Sequence, residues 1–247
     1  MRLADRVAIV TGASSGIGRT SACLFAAEGA RVVVADIDEA GGHETVSMIV
    51  ARKGEAVFVR TDVSLASDVE QMVRAAKNKY LKIDILFNNA GLYMRRIEVE
   101  DVDESLWDRI YAINVKGAFL GAKFVVPEMK RAGGGSIVNT ASMAAVRPSR
   151  GLSAYASSKG ALMTLTRALA IELSQDNIRV NCICPALTDT PMIKDEIEEL
   201  KRTSGPSRPL PRLARPEEIA NAALFLVSPE SSVLSGSCID VNRENVA

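Results

Sequence analysis

Two side chains with proton-transfer chemistry lie one helical turn apart in the amphipathic stretch 153–173. Tyr155 and Lys159 are separated by four residues, so both project from one face of a predicted helix. A phenol with a reference pKa of about 10 transfers protons poorly at neutral pH. A nearby ammonium favours the phenolate and lowers that pKa. The pair is therefore a candidate acid/base, although an ordinary pair on a helix surface has the same spacing.

Two further polar residues could serve this pair. Ser142 follows the fifth predicted strand, where its hydroxyl could hydrogen-bond a substrate oxygen and hold it towards Tyr155. Asn114 lies inside a predicted helix, where it could kink the helix and hold a water that relays protons to Lys159. A solvated asparagine in the middle of a helix is the alternative interpretation.

A glycine-rich turn, "TGASSGIG" at residues 11–18, follows the apolar run "RVAIV". A strand, such a turn and then a helix place backbone N–H groups around an anion at the helix N-terminus. Gly12 and Gly16 would free the turn and admit a ligand, and Gly18 would let the helix pack near the strand. The pattern fits the pyrophosphate of a dinucleotide, although a tight strand-to-helix turn without a ligand looks similar.

The end of the second predicted strand favours the dinucleotide interpretation. Asp36 is placed there to accept hydrogen bonds from ribose hydroxyls, and its charge would repel the 2′-phosphate of NADP. Ser15, just before Gly16, supplies no cation for such a phosphate. We therefore predict NAD as the cofactor.

Polar residues recur at the ends of the next two strands. Asp62 and Val63 follow the third strand, and Asn89 and Gly91 belong to "NNAG" after the fourth. Asparagine amides at such positions can bridge backbone strands or hydrogen-bond an adenine or ribose. Ligands of open α/β sheets bind at the carboxyl ends of the strands, so we expect these residues on one rim.

Short β-rich runs alternate with helical patterns along the whole chain. Strands are predicted at residues 6–11, 31–36, 56–60, 83–88, 136–140, 178–184 and 237–241. Helical patterns lie near 16–29, 39–53, 66–80, 103–131, 154–175 and 216–228. The first strands are apolar nearly throughout, as in a parallel sheet covered on both faces. We predict one α/β domain over 1–247, a doubly wound Rossmann fold with a seven-stranded, mostly parallel sheet and helices on both faces.

One stretch interrupts the alternation. Residues 189–216 are charged and end in a proline-rich return, and loops of this length are usually functional or disordered. We interpret about 190–212 as a substrate lid rather than a surface excursion. Because 192–212 has little apolar content to hold it down, we expect it to be mobile without ligand.

Bulk composition excludes several classes of protein. The 247 residues carry 30 Lys and Arg against 30 Asp and Glu, without the basic excess of a nucleic-acid binder. No apolar run reaches the ~18 residues of a membrane span, and the charged N-terminus leads directly into a strand, so we expect a cytoplasmic protein. Four scattered cysteines and the single His43 predict no metal site.

The chain resembles the short-chain dehydrogenase/reductase family over essentially its whole length. Residues 11–18 match the TGxxxGxG turn of that family, and 88–91 match its NNAG. Asn114, Ser142, Tyr155 and Lys159 match its Asn-Ser-Tyr-Lys tetrad. The resemblance implies that Tyr155 is the general acid/base and that Ser142 orients the carbonyl or alcohol. It further implies that Lys159 lowers the Tyr155 pKa and binds the nicotinamide ribose, and that Asn114 supports a proton-relay water.

The cofactor-binding residues that we expect come from these motifs and from the segment 185–190, which by the resemblance would meet the nicotinamide. They are Gly12, Ser14, Ser15, Gly16, Ile17, Gly18, Asp36, Ile37, Asp62, Val63, Asn89, Gly91, Tyr155, Lys159, Pro185, Thr188 and Thr190. Two segments depart from the pattern of the family. Ala186 replaces a usual glycine and Thr188 an apolar residue, so cofactor binding is expected to be weaker or altered. At the C-terminus, 242–244 replace Asp-Gly-Gly, which puts the assembly expected by resemblance, a homotetramer or homodimer, in doubt.

The expected function is hydride transfer between NAD(H) and a secondary alcohol or ketone, with a small molecule as substrate and no membrane or nucleic-acid partner. One alternative is a 3-oxoacyl-[acyl carrier protein] reductase, which usually uses NADPH and a basic residue near Ser15 or Ile37. Another is a catalytically retired dinucleotide sensor, against which the intact tetrad argues.

The residues that surround the substrate are expected from 93–97, 143–152 and the lid. Nearby arginines are either solvated or recognise an anionic substrate: Arg95, Arg96, Arg147 and Arg150.

Overall fold

Seven parallel strands form one sheet in the computed structural model, which describes residues 1–204 and 212–242. The strands are β1 (Val7–Thr11), β2 (Arg31–Asp36), β3 (Glu55–Arg60), β4 (Ile85–Asn88), β5 (Gly135–Thr140), β6 (Ile178–Pro185) and β7 (Cys238–Val241). Their order across the sheet is β3-β2-β1-β4-β5-β6-β7, and every pairing among the described residues is parallel. The predicted fold class is therefore confirmed.

Helices cover both faces of this sheet. They are α1 (Gly16–Ala27), α2 (Glu39–Ala51), α3 (Ala66–Tyr80), α4 (Glu104–Tyr111), α5 (Gly117–Arg131), α6 (Met143–Val146), α7 (Ser153–Glu172), α8 (Lys194–Thr203) and α9 (Pro216–Val227). Alternate residues of a strand point to opposite faces. Accordingly, Ala8 and Val10 pack with residues of α1 and α9, whereas Val7 and Ile9 pack with residues of α3 and α5. No helix in the described ranges is long and apolar enough to cross a membrane.

The strand order places a crevice between β1 and β4. The chain runs outward from β1 to β2 and β3, then returns to β4 on the other side of β1. Loops that follow β1 and β4 consequently diverge, and a ligand can enter between them. The glycine-rich turn and the NNAG segment are the loops that flank this crevice.

The predicted helix 103–131 is interrupted. It consists of α4, a π-helical segment Ala112–Lys116, and α5. A π-helical turn widens the backbone spiral locally and is often found at functional sites. Asn114, the residue at which the sequence suggested a kink, lies in this segment, where the regular α-helix is interrupted.

Candidate active site

A cleft of about 740 Å³ opens at the carboxyl ends of the strands. It brings together nearly all residues that the sequence indicated. The predicted residues that line it are Gly12, Ser14, Ser15, Gly16, Ile17, Asp36, Ile37, Asp62, Val63, Asn89, Gly91, Ser142, Tyr155, Lys159, Pro185, Thr188 and Thr190. Gly18 and Asn114 do not line it and lie behind its wall.

The glycine-rich turn leaves no room for side chains where it meets the NNAG segment. Gly12 has a φ of +65°, and a Cβ there would lie 2.8 Å from Ala90 Cα. A Cβ on Gly18 would collide with the carbonyl oxygen of Gly12, so Gly18 allows α1 to pack against the turn, as predicted. The backbone itself is therefore the surface that a ligand meets here.

Asp36 is fixed at the rim of the cleft. Its Oδ2 accepts a hydrogen bond from Ser14 N at 2.9 Å, and its Oδ1 accepts one from Asp38 N at 3.0 Å. Arg19, on the neighbouring helix, donates to the Ser14 carbonyl oxygen and pairs with Glu44 at 2.6 Å, and it does not line the cleft. Among the described residues that line the cleft next to the ends of β2 and β3, the charged ones are Asp36 and Asp62.

Tyr155 and Ser142 face each other across the inner end of the cleft. Their side chains are close enough to interact, and Ser142 Oγ accepts a hydrogen bond from Ala144 N at 3.1 Å, which caps α6. Burial raises the pKa of the Tyr155 phenol, and the nearby Ser142 hydroxyl acts in the opposite direction. The direction differs from the lowered pKa expected from the sequence, because loss of hydration outweighs the effect of that hydroxyl.

Lys159 is buried, with 3% of the residue exposed. Its Nζ donates to the carbonyl oxygen of Thr140 at 2.7 Å and lies 5.8 Å from the centre of the Tyr155 ring. Burial lowers the pKa of Lys159 to about 8. An ordinary surface pair is therefore excluded for Tyr155 and Lys159. Sequence reasoning missed Thr140, because its contribution is a backbone oxygen and any residue type could supply it.

Asn114 is also buried, with 1% exposed, so the solvated alternative is wrong. Its Oδ1 accepts from Leu92 N at 2.7 Å, and its Nδ2 donates to Leu92 O at 3.1 Å and to Ser158 Oγ at 3.0 Å. These bonds fix the chain just after Gly91, where a Cβ would lie 3.3 Å from Lys159 Nζ. Ser158 carried no sequence signal, because its role depends on a partner 44 residues away.

Asn89 bridges two backbone segments. Its Nδ2 donates to Thr11 O at 3.1 Å and to Gly12 O at 3.2 Å. Of the two interpretations of the asparagine amides in NNAG, the one in which the amide bridges backbone segments therefore applies to Asn89. It ties the loop after β4 to the loop after β1 and so sets the width of the crevice.

The segment after β6 closes the cleft opposite the glycine-rich turn. Ala186 N donates to Val241 O at 3.2 Å, and Ala186 is not among the described non-glycine residues with positive φ. The glycine of the family pattern is therefore not required here for conformational freedom. Thr188 Oγ1 bonds back to Ala186 O at 2.8 Å. Asn242 also lines the cleft, while 243–244 lie outside the described residues.

Three of the four arginines near the substrate wall have acidic partners. Arg96 pairs with Glu196 at 2.9 Å, Arg150 pairs with Glu98 at 2.8 Å, and Arg95 pairs with Asp195. Arg147 lines the cleft. The described part of the predicted lid, 190–204 and 212, contributes Thr190 to Ile193 to the lining, and 205–211 lie outside the described residues.

Comparisons with known proteins show the family to which the chain belongs. A family model described as enoyl-(acyl carrier protein) reductase matches residues 12–243. A cyclopentanol dehydrogenase of Comamonas sp. is 38% identical over 239 residues, which cover 96% of this chain and 95% of the relative. A 3-oxoacyl-[acyl-carrier-protein] reductase of Thermotoga maritima is 36% identical over 242 residues, 98% of both chains. The chain belongs to the short-chain dehydrogenase/reductase family.

One of the similar solved structures contains a nicotinamide dinucleotide. A 3-ketoacyl-(acyl-carrier-protein) reductase from Brucella melitensis, complexed with NADH, has a TM-score of 0.87 and 37% identity, with 97% of each chain covered. The protein is thus a short-chain oxidoreductase, and a nicotinamide dinucleotide is the cofactor class to test against its site. The residues fit that group: a turn without side chains lies beside the crevice, and a carboxylate stands at the rim.

Proposed function

We propose that this short-chain dehydrogenase/reductase is NAD-dependent and transfers a hydride between NAD(H) and a secondary alcohol or ketone. One observation carries the proposal: Tyr155, Ser142 and the buried Lys159 line the same cleft as the glycine-rich turn and Asp36. The cyclopentanol dehydrogenase among its relatives supports a secondary alcohol as substrate.

The residues of the site divide the proton chemistry between them. Bound nicotinamide would supply the hydride acceptor or donor. The Ser142 hydroxyl holds the substrate oxygen beside Tyr155, and the Tyr155 phenolate takes the hydroxyl proton in oxidation or the phenol returns it in reduction. The Lys159 ammonium stabilises the phenolate, and the Thr140 carbonyl oxygen holds Lys159 in place. Asn114 positions the loop at Gly91 through Leu92 and, as the resemblance implies, supports the proton-relay water.

We assign the cofactor contacts to three parts of the cleft. The backbone from Gly12 to Ile17 would take the pyrophosphate, and Asp36 the adenosine ribose hydroxyls. The segment from Pro185 to Thr190 would meet the nicotinamide end. Asp36 and Asp62 are the charged groups among the described residues lining the adenosine end, and this supports NAD over NADP because carboxylates repel a 2′-phosphate.

Cofactor choice gives the test of this assignment. The unmodified protein is expected to show a higher kcat/KM for NAD than for NADP. Asp36→Ala is expected to reduce that ratio at least about tenfold, the equivalent of about 1.4 kcal/mol, because the repelling carboxylate is removed. Asp38→Ala is the matched control, since Asp38 lies two residues away and does not line the cleft. Equal or better turnover with NADP in the unmodified protein would contradict the assignment.

A 3-oxoacyl-[acyl-carrier-protein] reductase is the second candidate function. The Thermotoga maritima relative and the Brucella melitensis structure support it. An acetoacetyl thioester reduced faster than simple cyclic ketones would favour it. The dinucleotide sensor is disfavoured, because a sensor does not need the buried Lys159 beside Tyr155.

We also propose a homo-oligomer, a dimer or tetramer. Large apolar side chains remain exposed on adjoining helices, with 38% of Trp107 exposed on α4 and 46% of Phe119 on α5. Trp107 stacks on Tyr111 at 4.9 Å between ring centroids, which extends this aromatic surface. Such surfaces commonly mark protein interfaces.

A further inference from the structure

The helix α8, which follows the nicotinamide-facing segment, is anchored to the loop after β4. The Arg96 guanidinium donates to a single oxygen of Glu196, from Nε at 3.0 Å and from Nη2 at 2.9 Å. Only 12% of the Glu196 side chain is exposed, and Ile197 beside it is 4% exposed. This ion pair is therefore partly sheltered from water, unlike most surface pairs.

Glu196 also reaches a second residue of that loop. The Tyr93 phenol lies close enough to the Glu196 carboxylate for the two groups to interact. Burial, followed by the charge of Glu196, raises the pKa of Tyr93 to about 12, so the phenol keeps its proton at neutral pH beside the carboxylate. Glu196 thus pairs with Arg96 on one side and interacts with Tyr93 on the other.

The ring of Tyr93 in turn packs against Tyr155. The two ring centroids are 5.0 Å apart, and the ring planes meet at 74° in an edge-to-face arrangement. Such aromatic pairs have a preferred geometry, so a displacement of one ring is transmitted to the other. A continuous series of contacts therefore runs from Arg96 through Glu196 and Tyr93 to the phenol that we assign as acid/base.

We propose that Tyr93 is a positioning residue for Tyr155, and that the contact of its ring with Tyr155 and its interaction with Glu196 make the orientation of Tyr155 depend on the position of α8. The inference rests on the proposed function only in assigning acid/base chemistry to Tyr155. The contacts themselves do not depend on that role. Segment 190–204 would accordingly do more than close the pocket: its seating would set the geometry of proton transfer.

A neighbouring ion pair supplies a matched control. Arg95 and Asp195 each lie one residue before Arg96 and Glu196 and pair across the same two segments. Their side chains are 82% and 67% exposed, and neither lines the cleft. Removing Asp195 deletes an ion pair between the same segments without touching Tyr93.

The test uses the whole protein labelled with ¹³Cζ-tyrosine. The chain has four tyrosines, so each NMR signal can be assigned by a single Tyr→Phe variant. Tyr93→Phe keeps an aromatic ring beside Tyr155 but removes the hydroxyl that interacts with Glu196. Glu196→Ala removes the carboxylate that interacts with Tyr93 and pairs with Arg96. Both variants are expected to shift the Tyr155 signal, and Asp195→Ala is expected to leave it unchanged.

Kinetics provide the second readout. Tyr93→Phe and Glu196→Ala are expected to lower kcat about tenfold, because a misplaced catalytic group slows the chemical step, with little change in the KM for the cofactor. An unmoved Tyr155 signal in both variants would overturn the inference, and so would an equal shift in Asp195→Ala. The NMR readout requires no turnover, so an inactive unmodified protein would contradict the proposed function and leave this test standing.

Discussion

Lys159 has its ammonium in a region from which water is largely excluded. Its hydrogen-bond acceptor is the Thr140 carbonyl oxygen at 2.7 Å, which carries no formal charge. Burial opposes the charged form of Lys159 and also the charged form of Tyr155, whose pKa is raised. In the proposed chemistry an anionic phenolate beside the cationic lysine relieves both costs, because each charge stabilises the other. The pair is thus suited to proton exchange.

The lowered pKa of Lys159 predicts a pH dependence of stability. Folding takes this pKa from 10.5 to about 8, so the native state binds fewer protons than the unfolded state between those values. The destabilisation caused by burying the charged Lys159 ammonium is fully present below about pH 8 and is lost as the pH rises to 10.5. Relative to Lys159→Met, the unmodified protein should therefore gain up to about 3 kcal/mol of unfolding free energy across this window.

Urea unfolding at several pH values between 7.5 and 10.5 measures this difference. In Lys159→Met the carbonyl oxygen of Thr140 loses its hydrogen-bond donor, which changes the unfolding free energy by an amount that does not vary with pH. The informative quantity is therefore the slope of the free-energy difference against pH. Lys79→Met, at an exposed lysine of α3, is the control. Parallel curves for the unmodified protein and Lys159→Met would mean that Lys159 titrates normally.

At the scale of elements, the described residues tie α8 to the rest of the fold through a small set of contacts. Ile197 is the buried residue of α8. Two acidic residues of this helix, Asp195 and Glu196, pair with Arg95 and Arg96 in the loop after β4. The sequence suggested almost nothing to hold this segment down, and the structure adds these contacts. They are few, so local opening of α8 should require much less free energy than opening of α7, which packs along β6.

Hydrogen exchange tests this expectation. Amides of 194–203 should exchange faster than those of 156–172 in the protein alone, and should slow when NAD and a substrate analogue are added together. The stretch 192–212 is predicted from the sequence to behave in this way, and α8 lies within it. If the amides of α8 were as well protected from exchange as those of α7 without ligand, the segment would be a fixed wall of the pocket and not a lid.

How far the sequence could predict these elements depends on how local their determinants are. The alternating strands and helices were predictable because apolar periodicity and the glycine-rich turn are local signals. The π-helical segment was not, because it accompanies the bonding of Asn114 to Leu92, 22 residues away. The anchoring of α8 through Arg96 and Glu196 spans 100 residues, and no local pattern encodes such a contact.

At the scale of the whole molecule, the sheet order decides where chemistry can occur. The switch between β1 and β4 opens the crevice, and β5 and β6 extend the same rim towards Ser142 and Pro185. Cofactor-facing and substrate-facing residues therefore converge although they lie far apart in the sequence. We expect the sheet and its two packed faces to be the rigid part of the molecule and α8 to be the part that moves, because Ile197 is the buried residue that α8 contributes.

The central claim is that Tyr155 performs acid/base chemistry in NAD-linked oxidation of secondary alcohols. The direct measurement is kcat for a panel of such alcohols, followed by NADH absorbance, in the unmodified protein and in Tyr155→Phe, with NAD binding measured separately by calorimetry. We predict turnover in the unmodified protein, and a loss of at least about a hundredfold in Tyr155→Phe while NAD affinity is retained, because the phenol acts in the chemical step. Near-normal kcat in Tyr155→Phe would contradict the account.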